Sequence, residues 1–202
     1  MTHLTLIRHG ETDWNLTRRI QGSTDIPLND TGREQAREAA AALSETLDLD
    51  APVVVVSSDL SRARETAEIM ADGLGVRVAG LYPDLRERSY GEAEGVSVDV
   101  FMERWGEWHT AEVPGAESWA DLRVRGLRGL GQVVRDVRRE TAPAAASVIV
   151  VTHGAMIREL IRHATAGELP PTGERLGNGS AYTMLHERER LRLLSYATAT
   201  AS

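Results

Sequence analysis

The chain has no cysteine and no lysine in 202 residues. The first absence excludes disulfides, thiolate zinc sites, iron–sulfur clusters and a cysteine nucleophile. The second excludes P-loop and Schiff-base chemistry, both of which need a lysine. Aromatic residues are scarce: four Trp, four Tyr and one Phe. No apolar run approaches the ~20 residues of a membrane helix. The N-terminus, Met-Thr-His-Leu-Thr-Leu-Ile-Arg, carries neither the basic n-region nor the long h-region of an export signal. A cytoplasmic protein with no membrane partner is expected. Positive charge is borne by 23 arginines against 30 Asp and Glu, for a net charge of −7. A nucleic-acid binder shows a basic face, and these arginines are scattered among acids, so no nucleic-acid partner is expected.

With 42% hydrophobic and 26% charged residues the chain has globular composition. At this length a protein buries roughly 70% of its unfolded surface and needs no covalent or metal staple. One domain over residues 1–202 is expected. Three apolar, β-branched runs, Leu4–Ile7, Val53–Val56 and Val148–Val151, lack polar alternation and read as strands buried on both faces. Each precedes a helical pattern. Asn29 is placed to cap a helix whose apolar stripe is Ala36, Ala39, Ala40, Leu43 and Leu47. Leu60, Ala63, Ala67, Met70 and Leu74 form a second stripe, closed by Gly73 and Gly75. Met156, Ile157, Leu160, Ile161 and Ala164 form a third. Ser118 and Asp121 have capping-box spacing at the head of a further helix from about Trp119 to Glu140.

This alternation predicts an α/β fold, a three-layer α/β/α sandwich around a mostly parallel sheet. Residues 91–114 have no clean period and carry Phe101, Trp105 and Trp108; they read as a small, partly helical lid. Ala181–Leu185 and Leu191–Tyr196 are expected to form two more strands joined near Glu187, and residues 197–202 to fray.

In open α/β sheets, ligands bind beyond the C-terminal ends of the strands. There stand Arg8, His9 and Gly10 after the first run, Ser57, Ser58 and Asp59 with Arg62 after the second, and Thr152, His153 and Gly154 after the third. Two histidines and two arginines would therefore converge on one rim. A guanidinium fork matches phosphate oxygens bidentately, and a neutral imidazole is a competent nucleophile towards phosphorus. Neighbouring arginines disfavour the protonated imidazole. Gly10 and Gly154 would let backbone N–H groups approach oxygens, and a helix starting at Gly154 would aim its positive end at the anion.

Five ordered segments carry a resemblance. LIRHGETDWN (Leu6–Asn15) resembles the signature of the histidine phosphatase superfamily in its phosphoglycerate mutase-like branch. SSDLSRARETA (Ser57–Ala67), LRERSYGEAEG (Leu85–Gly95), PGAESWADLRVR (Pro114–Arg125) and VIVVTHGAMIREL (Val148–Leu160) are similar to its later blocks, with Ala116 where Gly is usual. The resemblance implies that His9 is the nucleophile that becomes a phosphohistidine. It implies that Arg8, Arg62 and His153 form the phosphate pocket, with Asn15 completing the donors. Glu87 would be the acid for the leaving oxygen and then the base for water. Gln21 and Gly22 fall where the family's loop touches substrate. No metal and no cofactor are implied.

The interval from Arg88 to Val113 is short and net acidic, with Arg104 its one further arginine, so a second anionic group would find little to bind there. This favours a phosphomonoester hydrolase acting on a small organic phosphate over a 2,3-bisphosphoglycerate-dependent mutase. A catalytically silent phosphate- or protein-binding module is the reading from another class. Val96, Val98, Val100, Phe101 and the tryptophans would make an apolar roof. That roof or a free sheet edge could support a homodimer.

Overall fold

The computed structural model describes residues 1–47, 51–188 and 190–196; the tail expected to fray, 197–202, lies outside the described residues. Six strands form one sheet: β1 (Thr2–Arg8), β2 (Val53–Ser57), β3 (Val78–Leu81), β4 (Ser147–Thr152), β5 (Ala181–Glu187) and β6 (Arg190–Tyr196). Their spatial order is β3-β2-β4-β1-β5-β6. Neighbours from β3 through β1 are parallel, while β5 runs antiparallel to both β1 and β6. The fold is α/β, as expected. β3 carries no signal in the sequence: it has four residues, includes Gly80, and lies half-exposed on the edge of the sheet.

Burial on both faces explains the unalternating apolar runs. Leu4, Leu6, Val148 and Val150 point into a core covered by α5 (Trp119–Thr141) and α6 (Gly154–Ala164). Ile7, Val55, Ile149 and Val151 point into the opposite core, covered by α2 (Asp30–Ser44) and α3 (Ser61–Gly73). Successive side chains of a strand alternate between faces, so a strand covered twice must be apolar at every position. The helices start where their caps dictate: Asn29 Oδ1 accepts from Gly32 N at 2.8 Å, and Ser118 Oγ accepts from Asp121 N at 3.0 Å. Among the described residues no helix is long and apolar enough to cross a membrane.

The excursion over residues 91–114 holds a 3₁₀ turn at Gly91–Ala93 and helix α4 (Val98–Trp105), capped by Ser97. Its own small core comprises Ile20, Tyr90, Ala93, Phe101 and Val113. Phe101 stacks on Trp108 with centroids 4.3 Å apart. The chain after the short helix α1 (Asp13–Leu16) is laced to this excursion by backbone bonds. Ile20 N donates to Val96 O at 3.0 Å, Gly95 N to Ile20 O at 2.8 Å and Val98 N to Arg18 O at 2.9 Å. One wall of the cleft is thereby fixed to the loop that follows His9.

Gly10 has a different purpose from the one its position suggested. A Cβ there would fall on the backbone of Gly32, at 2.8 Å from its Cα, and the Gly10 N–H already donates to Thr66 Oγ1 at 3.1 Å. The glycine permits a backbone crossing at the head of α2 and offers no N–H to a ligand. Gly10→Ala is expected to destabilise the fold by about 3 kcal/mol, because backbone cannot give way as a side chain can. Urea denaturation at neutral pH checks this.

Candidate active site

The register of β1 against β4 pairs Arg8 with Thr152. His9 and His153 therefore leave the sheet side by side, and their ring centroids are 5.1 Å apart. His9 N donates to Thr152 O, and Ser58 N to Val151 O, both at 2.9 Å, so three strand ends are stitched together under the site. His9 Nδ1 lies 2.7 Å from Gly10 O. A carbonyl can only accept, so Nδ1 carries the proton and Nε2 keeps its lone pair. His153 Nε2 is 2.9 Å from Ser58 Oγ.

Burial comes first in depressing both imidazoles well below the ordinary histidine value; the charge of Arg62 follows for each, then Arg8 for His9. The arginines act in the anticipated direction, but desolvation is the larger cause. These shifts set the acid limb of stability. The unfolded histidines take up protons near 6.5 while the folded ones stay neutral. Stability present above that value is therefore lost as pH falls towards the folded values. The expected slope is about 1.4 kcal/mol per pH unit for each histidine. Urea midpoints measured from pH 7.5 downwards should show it, and His153→Gln should reduce the slope by about 1.4 kcal/mol per pH unit.

Arg8 donates through Nη1 to Leu176 O. Arg62 donates through Nη1 to Thr24 O and through Nη2 to Gly22 O, both at 2.8 Å. Both Nε atoms, and Nδ1 of His153, are buried without a hydrogen-bond partner among the described residues. A Cβ at Gly154 would stand 3.3 Å from Arg8 Nε, so glycine there leaves room for the guanidinium. Arg8 is held near 10, chiefly by burial and against the pull of Glu87. Buried polar atoms ordinarily have partners. Three that lack them surround His9 beside a cavity of ≈ 210 Å³, an arrangement fit for an anion.

Arg8, His9, Asn15, Gln21, Gly22, Arg62, Glu87 and Gly154 all line that cavity; His153 lies fully buried behind it. Asn15 Oδ1 accepts from Thr12 N, Thr12 Oγ1 and Asn178 Nδ2, at 3.2, 3.1 and 3.3 Å, which leaves Nδ2 as its free donor. Gln21 is buried, with Oε1 unpartnered. Gly22 lies at φ +56°, and a Cβ there would collide with the Glu94 carboxylate. Its carbonyl holds Arg62, which makes it a support for the pocket. Glu94 in turn accepts from Ser23 N, Ser23 Oγ, Thr24 N and Thr24 Oγ1 at 2.6–2.9 Å, fixing the loop that orients Arg62.

Glu87 corrects one expectation. Its Oε2 accepts from Ala155 N at 3.1 Å, and its Oε1 from Met156 N at 3.2 Å and Arg88 N at 2.9 Å. The positive end of α6 is thus spent on this carboxylate, and those amides are not presented to an anion. The backbone carrying Glu87 is gripped from both sides. Arg86 forks onto Asp59 at 2.7 and 2.5 Å, and Arg125 donates to Asp84 O, Arg86 O and Glu87 O while pairing with Glu117 at 2.7 Å.

The apolar roof is smaller than expected. Val98 and Trp108 reach the cavity, whereas Phe101 is buried behind them and Val100 faces solvent. Neither arginine of the interval 88–113, Arg88 or Arg104, lines the cavity, yet the cavity is not short of positive charge. Arg19, Arg158 and Arg175 line it from other parts of the chain. Asn178, which donates to His9 O at 2.9 Å and to Asn15, carries no local signal in the sequence. Ser58 was marked only by standing at a strand end. Among the described residues no group of three or more His, Asp or Glu is placed to hold a metal ion.

An α/β sheet that gathers two neutral imidazoles and two buried guanidiniums beyond its parallel strand ends defines an anion-handling enzyme site. The comparisons agree with that class. The model of the histidine phosphatase superfamily (branch 1) matches residues 4–199, and the chain belongs to that family. It is 35% identical over 196 residues to the uncharacterized phosphatase PhoE of Bacillus subtilis (strain 168), covering 97% of this chain and 94% of that one. It is 33% identical over 177 residues to the probable phosphoglycerate mutase GpmB of Serratia proteamaculans (strain 568), covering 87% and 79%. The structure of a mycobacterial glucosyl-3-phosphoglycerate phosphatase in complex with VO3 superposes with a TM-score of 0.80 at 28% identity, covering 98% of this chain and 100% of that one.

Proposed function

We propose that the chain is a phosphomonoesterase that hydrolyses a small organic phosphate through a phosphohistidine on His9. The observation that carries this reading is the His9 Nδ1–Gly10 O bond. It fixes the tautomer and leaves Nε2 nucleophilic beside a cavity lined by Arg8 and Arg62. In the first half-reaction Nε2 attacks phosphorus, the P–O ester bond breaks, and Glu87 protonates the departing oxygen. Arg8, Arg62 and the Asn15 amide, which line the cavity, hold the three phosphoryl oxygens as charge shifts onto them, with the His153 ring behind them 5.1 Å from that of His9. In the second, Glu87 takes a proton from water, water oxygen bonds to phosphorus, and the P–N bond breaks to return neutral His9 and release phosphate.

The named phosphatases among its relatives support water as the acceptor. A mutase reading draws on the arginines that could hold a second anion. p-Nitrophenyl phosphate turnover, with and without EDTA, tests the hydrolase. Phosphoryl exchange into 3-phosphoglycerate that depends on added bisphosphoglycerate would instead establish the mutase. Tight phosphate binding with no turnover of any ester would leave a binding module.

A further inference from the structure

Asn178 stands in the loop between α6 and β5, 169 residues along the chain from His9. Its side-chain amide has two hydrogens, and both are spent on the site. One goes to His9 O at 2.9 Å, the other to Asn15 Oδ1 at 3.3 Å. A main-chain carbonyl only accepts, so the atom of Asn178 that faces His9 is Nδ2. The same rule orients Asn15. Thr12 N only donates, so Oδ1 faces Thr12 and Nδ2 is turned away from it.

Asn15 belongs to a turn that is otherwise closed on itself. Thr12 caps α1, and Thr12 and Asn15 exchange side-chain and main-chain bonds as a capping box. Leu16 N donates to Thr12 O, while Thr17 N and Thr17 Oγ1 both donate to Asp13 O. Among the described residues, the hydrogen bonds of residues 12–17 stay within residues 12–19, except the one from Asn178. A helix of four residues is weak by itself. Asn15 is thus carried on an element with one hydrogen bond to the rest of the molecule.

Asn178 is held by the strand end that it braces. Ser180 N and Ser180 Oγ both donate to Gly177 O, closing a tight turn in which Gly179 has φ +72°. Gly179 N donates to Arg8 O at 3.0 Å, and Arg8 N to Ser180 O at 3.1 Å. The bracket is therefore fixed to the last residue of β1, directly before the His9 carbonyl it grips.

We propose that Asn178 is a positioning residue of the phosphoryl site. It sets the placement of the Asn15 amide relative to the His9 main chain, so that Asn15 Nδ2 meets an oxygen of the group beside His9. Asn178 lines neither that cavity nor the chamber outside it, and acts through Asn15 and His9. The inference rests on the reading of the cavity as a phosphate site.

A double-mutant cycle on inorganic phosphate binding, read by calorimetry, tests it. Asn15→Ala should weaken binding by about tenfold, the loss of one hydrogen bond to a charged group. Asn178→Ala should weaken it by about fivefold, because the donor is kept but no longer held. In the double variant the two factors should not multiply, and binding should match Asn15→Ala within about twofold. A purely structural role would multiply them to about fiftyfold. Urea denaturation checks that each variant is folded. Asn178→Ser, which keeps a single donor, takes the place of Asn178→Ala in the cycle should the alanine variant fail to fold. Parental affinity in the Asn178 variant, factors that multiply, or a parent that binds no phosphate overturns the proposal. Turnover of p-nitrophenyl phosphate by the parent is read in parallel. Coupling without turnover supports the positioning role and sinks the phosphatase reading; turnover with multiplying factors does the reverse.

Discussion

Replacing His9 by alanine is expected to lower kcat on p-nitrophenyl phosphate by about four orders of magnitude or more. In the proposed chemistry the imidazole removed is the group that bonds to phosphorus, and no neighbour is placed to substitute for it. His153 is fully buried, absent from the cavity wall, and engaged with Ser58 through Nε2. Arg8 and Arg62 keep their anchors on Leu176 O, Gly22 O and Thr24 O, whereas the His9 ring bonds to Gly10 O. Inorganic phosphate should therefore remain a competitive ligand of the variant, with an inhibition or dissociation constant within about tenfold of the parent. Rapid quench with mass spectrometry should find an acid-labile phosphoryl group on His9 of the parent and none on the variant. Substantial turnover by His9→Ala, or a label on another residue, would falsify the proposed chemistry.

Glu87→Gln carries the second large effect, and its size should depend on the leaving group. An alkyl ester departs as an alkoxide that needs a proton, so loss of the acid should reduce its turnover by about 10²–10⁴-fold. p-Nitrophenolate is stable as an anion and needs no proton, so formation of the phosphohistidine should survive. Its hydrolysis should not, since water has lost its base. The expected trace is a burst of p-nitrophenol near one equivalent of enzyme followed by a slow steady state. The amide of Gln can still accept from only one of the two α6 amides that the carboxylate now engages. A modest loss of stability should accompany the kinetic change. Equal losses on alkyl and aryl esters, with no burst, would show that Glu87 positions the site rather than moving protons.

Glu87 also shows why the site could be read only in part. Its place in LRERSYGEAEG marks it as chemical, but nothing local says what holds it. The answer lies at the N-terminus of α6, where Ala155 and Met156 donate to its carboxylate. That contact spans 68 residues, and the 3₁₀ turn at Pro83–Leu85 just before Glu87 packs on α5 and is tied to the end of β4 by Thr152 Oγ1, which donates to Leu85 O at 2.7 Å. Gly10 and Gly22 are conspicuous in the same way: a Cβ on the first would meet the backbone of Gly32, and one on the second, at φ +56°, the Glu94 carboxylate. Local pattern detects that a glycine is needed and is silent about the neighbour that requires it.

The short edge strand β3 escaped for a related reason. Its residues are half-exposed and include a glycine, so it lacks both the unbroken apolar run of a covered strand and a clean alternation. Pairing with β2 alone defines it. Arg158 and Arg175 reach the cavity from α6 and the loop after it, far along the chain from the interval between Glu87 and Pro114, so no single stretch announces them.

By itself the amino-acid order determined the sandwich, its helix caps, and the pair of histidines at equivalent strand ends. Those depend on periods of two and 3.6 residues and on short-range hydrogen bonds, which are written contiguously. Only the tertiary structure decided which His9 nitrogen is free, what orients Glu87 and Arg62, and how much positive charge faces the cleft. These follow from contacts between segments distant along the chain, and from burial, which no single stretch of residues specifies.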